Sequence, residues 1–250
     1  MSIDPRVYEN RLLASLSPEA LARVAPHLQQ IPLPLGLVVH QQHVCFQHVV
    51  FPTSGVVSLL SVLDTGATTE IGLVGNEGVA GTAWFMGGGP ATSQAVVQIA
   101  GEGFRMRGDT LRIECERSID SLHLFLRYMQ SVSVQTNQSA VCNRHHSVEQ
   151  QLCRWLLMTL DRLASNQVSM TQELIANMLG VRREAVTKSA GILQDAGLIR
   201  YSRGLITVID RAGLHAKSCE CYDTVCRETQ RLIPMPKPRP QKDDEQLVFA

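Results

Sequence analysis

The chain contains no apolar run near the roughly 18 residues that a membrane-spanning helix needs. Its first residues, Met1 to Asn10, hold no apolar signal core, so secretion is not expected. Seven cysteines without framework spacing suit a reducing cytoplasm better than a disulfide scaffold. There is no nucleophile elbow, no phosphate-cradling loop, no His-Glu-x-x-His, and no strand pair with His-x-His. The sequence therefore reads as a cytoplasmic non-enzyme with no expected cofactor, bound metal or membrane partner. Net charge is absent too, at a formal zero, but the halves differ. Residues 1–142 carry 8 Lys/Arg against 11 Asp/Glu, and residues 143–250 carry 15 against 12. The second half thus has the sign expected of a surface that meets phosphate.

What is present divides by texture. At 250 residues and 44% hydrophobic, the chain suits two domains of ordinary size. Ser17-Pro18-Glu19 places an N-cap before a proline in the first helical turn. From Ile31 to about Arg107, short apolar runs such as Val49-Val50-Phe51 and Val56 to Leu60 alternate with turn signals. Those turns fall at Gly36, Gly55, Asp64-Thr65-Gly66 and Gly75-Asn76-Glu77-Gly78, with a flexible loop at Gly87 to Pro90. This spacing predicts a small antiparallel barrel or jelly roll over 1–117.

A new period begins near Ser118. Ile119, Leu122, Leu126, Met129, Ser133, Thr136 and Ala140 alternate three- and four-residue steps, the seam of a coiled coil about three heptads long. A helix over 118–142 that joins two copies into a homodimer is expected. Cys142 to Ser147 interrupts the pattern as a hinge. Ser147 with Gln150 forms a capping box for the next helix, whose buried stripe is Leu152, Trp155, Leu156 and Leu160. From Pro234 four prolines fall within seven residues, so disorder is expected over 234–250.

Within 143–233 the densest motif is Thr171 to Gln194. A first helix would bury Leu174, Ile175, Met178 and Leu179, with Gly180 as the turn residue. A second would bury Val181, Ala185, Val186, Ile192 and Leu193 and present Arg182, Arg183, Glu184, Thr187 and Lys188. Arg183 can grip the O6 and N7 of guanine, and Glu184 can accept from the N4 of cytosine. Thr171 and Gln172 stand at a helix N-terminus, where a phosphate would bind. Gly197 to Ile209 reads as a hairpin wing turning at Ser202-Arg203-Gly204, with Arg200, Tyr201 and Arg203 available to sugar-phosphate. The partner these residues suit is double-stranded DNA.

The order of β-roll, long helix, hinge and winged helix-turn-helix resembles the Crp/Fnr family of bacterial transcription regulators over roughly residues 10–215. Arg183, Glu184 and Lys188 match the family's base-reading positions. The resemblance implies an α+β chain: a cyclic-nucleotide-binding-like β-roll (jelly roll), a long dimerisation helix and a C-terminal winged helix-turn-helix. It also implies a homodimer on a two-fold-related operator, a signal received in the roll, and RNA polymerase as a candidate partner. The cyclic-nucleotide cassette is degenerate. Gly75-Asn76-Glu77-Gly78 alters its first part, and Ser93-Gln94 stands where the phosphate-neutralising arginine belongs, so cyclic AMP is not expected to bind. Glu77, Ser93, Gln94, Thr136 and Asn137 are the candidates to line a pocket for another small-molecule effector.

Two histidine and cysteine clusters need placing. In an extended strand His40 and His48 would share one face and His43 and Cys45 the other, so surface histidines are expected there. On one continuous helix His215, Cys219 and Cys226 would align and Cys221 would not, and cysteine as a small buried hydrophobe is the ordinary reading. No N-terminal cysteine cluster exists for an iron–sulfur centre of the family's kind. The competing class is a jelly-roll metal-binding protein or enzyme whose helical C-terminal part is a protein-interaction module.

Overall fold

The computed structural model describes residues 3–234; apart from Pro234 itself, the tail expected to be disordered lies outside the described residues. After a 3-10 helix at Pro5–Glu9 come two short α-helices, α1 (Arg11–Ala14) and α2 (Pro18–Val24). Ser17 caps α2 by accepting from the Ala20 N–H, with Pro18 in the first turn, where its missing donor costs nothing. Asn10, wholly buried, caps α1 and donates to the carbonyls of Pro52 and Gly78, which bolts the helices to the sheets behind.

Seven strands follow: β1 (Gln29–Leu33), β2 (Val38–His40), β3 (His48–Pro52), β4 (Val56–Val62), β5 (Thr68–Val74), β6 (Gln94–Ile99) and β7 (Gly101–Arg107). They pair antiparallel as two sheets, ordered β1-β7-β3 and β2-β6-β4-β5. Leu33 and Val50 of the first sheet meet Val57, Val74, Ala95 and Val97 of the second, which is the expected jelly-roll interior.

α3 (Gly108–Arg117) leads into α4 (Ile119–His145), 27 residues or roughly 40 Å at the helical rise. Its inner face lays Leu124, Phe125, Tyr128, Ser131, Gln135 and Ser139 on the roll. The Gln135 amide takes the Leu73 N–H at 2.7 Å and gives to the Leu73 carbonyl at 3.1 Å, which blunts the free edge of β5. The residues read from the sequence as a coiled-coil seam lie on another face. Ile119 and Leu126 are 62% and 48% exposed, Ser133 and Ala140 are exposed, and Leu122, Met129 and Thr136 are half-buried.

The expected hinge is shorter than its sequence suggested. α4 carries through Cys142 to His145, and only His146 and Ser147 separate it from α5 (Val148–Leu160). The capping box of Ser147 and Gln150 forms as read. α5 is buried from Gln151 to Leu160 on every side, not along one stripe, because the winged unit wraps it. That unit comprises β8 (Gln167–Ser169), α6 (Gln172–Leu179), α7 (Arg183–Asp195), β9 (Ile199–Ser202) and β10 (Leu205–Val208), with a sheet ordered β8-β10-β9. α8 (Arg211–Lys217) and α9 (Glu220–Leu232) close the described chain.

Val56 and Leu73 of the roll belong to the same apolar cluster as Leu156, Ile175, Leu179, Val186 and Leu193 of the winged unit. The joint also carries charge. Arg162 pairs with Glu77 at 2.7 Å, both side chains below 10% exposure. Ser58 and the Trp155 indole donate to the Glu70 carboxylate at 2.6 and 3.1 Å.

Candidate nucleic-acid interface and effector cavity

Thr171 caps α6 by accepting from the Leu174 N–H, which leaves Gln172 and Glu173 in the first turn. α6 ends at Gly180, whose φ of +66° is a left-handed conformation that a side chain would strain. The chain then turns into α7, with Arg182 at the N-cap and Arg183 at the first position. α7 buries Val186, Ser189, Ala190 and Leu193. Two expected core residues are corrected: Ile192 is 40% exposed and Leu174 41%. Both lie at the rim of stripes that three or four residues already fill, so the core never reaches them.

Arg182, Arg183, Glu184, Thr187 and Lys188 are exposed on α7 as read from the sequence. Thr187 donates to the Gln172 side chain at 2.6 Å, which fixes the register of α6 against α7. A cleft of about 570 Å³ opens between these helices and the wing, lined by Thr171, Gln172, Arg183, Thr187, Gln194 and Arg203 among others. Gln194 escaped the sequence reading. It follows Arg183 and Thr187 at steps of four and seven, one helical face, and its side chain accepts from the Tyr201 N–H at 2.9 Å, tying wing to helix.

The wing is β9, β10 and a two-residue turn with Arg203 at φ 51° and Gly204 at φ 78°. Positive φ at both positions is the hairpin geometry that matches strand twist. Arg200 and Arg203 are exposed. The Tyr201 hydroxyl is already committed, donating to the Met170 carbonyl at 2.8 Å, so only its ring faces outward chemistry. Among the described residues, Arg182, Arg183, Glu184, Lys188, Arg200 and Arg203 take part in none of the ion pairs.

A second cavity, about 420 Å³, lies between the roll and α4. Ser93 and Thr136 line it beside Leu59, Ile71, Tyr128 and Val132, and no Lys, Arg, Asp or Glu does. The other three pocket candidates lie elsewhere. Glu77 is held by Arg162 and the Gly75 N–H. Gln94 sits in β6 opposite Leu60 without reaching the cavity, and Asn137 is exposed on α4. The loss of the arginine was legible; which neighbours remained was not, because Glu77 found a partner 85 residues away.

His40 also lines this cavity and corrects the expectation of surface histidines. It is 6% exposed and stacks on Phe46 at 4.7 Å, and its Nδ1 has no hydrogen-bond partner. Burial pushes its pKa below the usual range, so it is neutral at pH 7. A turn with His43 at φ 61° separates β2 from β3, yet His43, Cys45 and His48 do not gather with it around one point. The C-terminal grouping is corrected as well. His215 pairs with Asp223 and Cys226 faces Asp161, whereas Cys219 and Cys221 join Cys142 and His146. Ser218, with φ −75° and ψ 171°, breaks the helix that sequence treated as continuous.

Residues 150–217 match the family model of the Crp-like helix-turn-helix domain. Comparison with curated protein sequences found no match. Among solved structures, FixK2 from Bradyrhizobium japonicum superposes with a TM-score of 0.67 at 14% identity, covering 77% of this chain and 98% of its own. A putative transcriptional regulator of the Crp/Fnr family from Eubacterium rectale gives 0.64 at 17%, covering 82% and 96%. CLP of Xanthomonas campestris, a c-di-GMP-responsive global regulator, gives 0.59 at 16%, covering 77% and 99%. No described helix is long and apolar enough to cross a membrane. Residues 150–217 are thus a Crp-like helix-turn-helix domain, and the chain shares the fold of those solved regulators over the 77–82% of its length that superposes.

Proposed function

We propose that this protein is a cytoplasmic transcription regulator that binds a two-fold-related DNA site as a homodimer and takes an uncharged effector in its roll. The observation that carries this reading is the row of exposed side chains without ion pairs on α7 and the wing, inside a Crp-like domain. Charges left unpaired on a folded surface are available to a polyanion. Arg183 would take a guanine edge bidentately, Glu184 a cytosine N4, and Lys188 a base or phosphate farther along the groove. Thr171 and Gln172 would hold a phosphate at the N-terminus of α6. Arg182, Arg200 and Arg203 would meet the backbone, with the ring of Tyr201 beside them. Arg203 holds a left-handed turn position that glycine or asparagine would fill at lower cost, as expected where a cation is kept for use.

The domain assignment follows: roll at 1–117 for sensing, 118–142 for dimerisation, 143–233 for DNA. The seam from Ile119 to Ala140 supports the homodimer, since a long helix with its apolar residues half outside gains most by pairing with its copy. The cavity supports an effector other than a cyclic nucleotide, because a phosphate there would meet no cation. RNA polymerase would be the downstream partner. Selection from random duplexes should enrich a palindromic site. The double variant Leu126→Glu and Met129→Glu should give monomers by light scattering and lose that site. A double variant that stays dimeric removes the seam from the proposal, and failure to enrich any palindrome removes the operator.

A further inference from the structure

Four side chains that could hold a metal ion converge where the dimer helix meets the C-terminal helix. Cys142 and His146 stand one turn apart at the end of α4, on one face. Cys219 and Cys221 flank the start of α9, across the break after α8. The four candidate atoms, three Sγ and one imidazole nitrogen, all lie within 4.8 Å of one another. Cys142 Sγ is 3.6 Å from Cys219 Sγ, and Cys221 Sγ is 3.6 Å from His146 Nδ1. A tetrahedral zinc ion with sulfur at about 2.3 Å and nitrogen at about 2.0 Å holds its ligands about 3.4–3.8 Å apart. The three thiols are free and buried, and both recorded separations fall in that window.

Two observations outside the cluster point the same way. His146 turns its second nitrogen, Nε2, to the Glu220 carboxylate at 3.3 Å. A carboxylate behind the far nitrogen is the arrangement that orients a metal-bound imidazole and raises its basicity. Arg154 is 6% exposed, makes no salt bridge among the described residues, and leaves Nε without a hydrogen bond. A buried guanidinium needs an anion nearby, and Glu70, which also feels Arg154, accepts its hydrogen bonds from Ser58 and Trp155 instead. Three thiolates, one neutral imidazole and a divalent ion together carry a single negative charge.

We propose that Cys142, His146, Cys219 and Cys221 form a closed tetrahedral site for a zinc-class divalent ion, which fastens α9 to the end of α4. Four protein ligands leave no open position, so the ion is structural rather than catalytic. It clips the joint between α4 and α5, since only Ser147 separates His146 from the start of α5. Binding displaces the thiol protons, so affinity rises with pH.

Cobalt(II) titration into the full chain, purified anaerobically and stripped with chelator, tests the site. One equivalent should bring up a thiolate-to-cobalt charge-transfer band with intense tetrahedral d–d bands, and zinc(II) should bleach both. Cys226→Ser should leave the titration unchanged. Cys219→Ser should abolish the charge-transfer band or weaken it severely. His146→Ala, at a half-buried position, should lower cobalt affinity at least about tenfold and shift the d–d bands. A titration without charge transfer overturns the proposal, as does a band that survives Cys219→Ser at full strength. So does a Cys142–Cys219 disulfide in the anaerobically isolated chain.

Discussion

The charges at the joint between roll and winged unit and the charges on the outer face of α7 and the wing are treated in opposite ways. At the joint they are partnered: Glu77 with Arg162, and Glu70 with Ser58 and Trp155. On α7 and the wing, Arg182, Arg183, Glu184, Lys188 and Arg203 stand exposed without ion pairs. Buried charges must be paired to be tolerated, while exposed ones are free to wait for a ligand. The lesson is a separation of labour. Substitutions at the joint should change stability, and substitutions on α7 should change binding and leave stability nearly untouched.

The largest effect is expected at Arg162. Arg162→Ala strands the Glu77 carboxylate in a buried place and should cost about 3–5 kcal/mol in urea unfolding. A loss below about 1 kcal/mol would mean that water reaches Glu77, and the contrast between the regions would soften. Next is Glu70, where burial pushes the carboxyl up to about 7 against the pull of Ser58, Arg154, Trp155 and Arg162. A raised acid pKa favours the protonated folded state. This contribution is therefore whole below the ordinary glutamate pKa and is lost as pH rises through about 7. Glu70→Gln should remove that slope, making the variant more stable than wild type by about 1–3 kcal/mol at pH 8 and little different near pH 4.5. Parallel pH–stability curves would show that Glu70 keeps an ordinary pKa. The smallest effect is a null one. Millimolar cyclic AMP or cyclic GMP should not move the melting temperature, whereas occupancy at 100 times a dissociation constant would stabilise by about 2.7 kcal/mol.

Much of this was legible in the chain because local rules decide it. Gly180, the Ser147–Gln150 box and the Arg203-Gly204 turn are each settled within a few residues, and all three stand where periodicity and turn chemistry place them. The outward face of α7 follows from helical spacing alone. What escaped depends on distant partners. β8 has three residues and one buried side chain, Val168, and acquires its identity only by pairing with β10. His40 looks like a surface histidine until β2 bulges and Phe46 folds over it. Cys219 and Cys221 belong with Cys142, 77 residues away from the first of them, which no helical wheel could reveal. Glu77 was assigned to a ligand because its partner, Arg162, lies 85 residues farther along the chain.

The most direct measurement compares Arg183→Ala and Arg203→Ala on the selected operator and on random duplex across a range of salt, with thermal melts alongside. Arg183→Ala should cost about 1–3 kcal/mol on the operator, relax preference at one guanine and leave random DNA almost unchanged. Arg203→Ala should weaken both duplexes alike and flatten the salt slope by about one phosphate contact. Neither should lower stability by more than about 0.5 kcal/mol, as expected of exposed residues without partners. Equal losses on operator and random DNA for both variants would contradict the assignment of α7 as the reading helix.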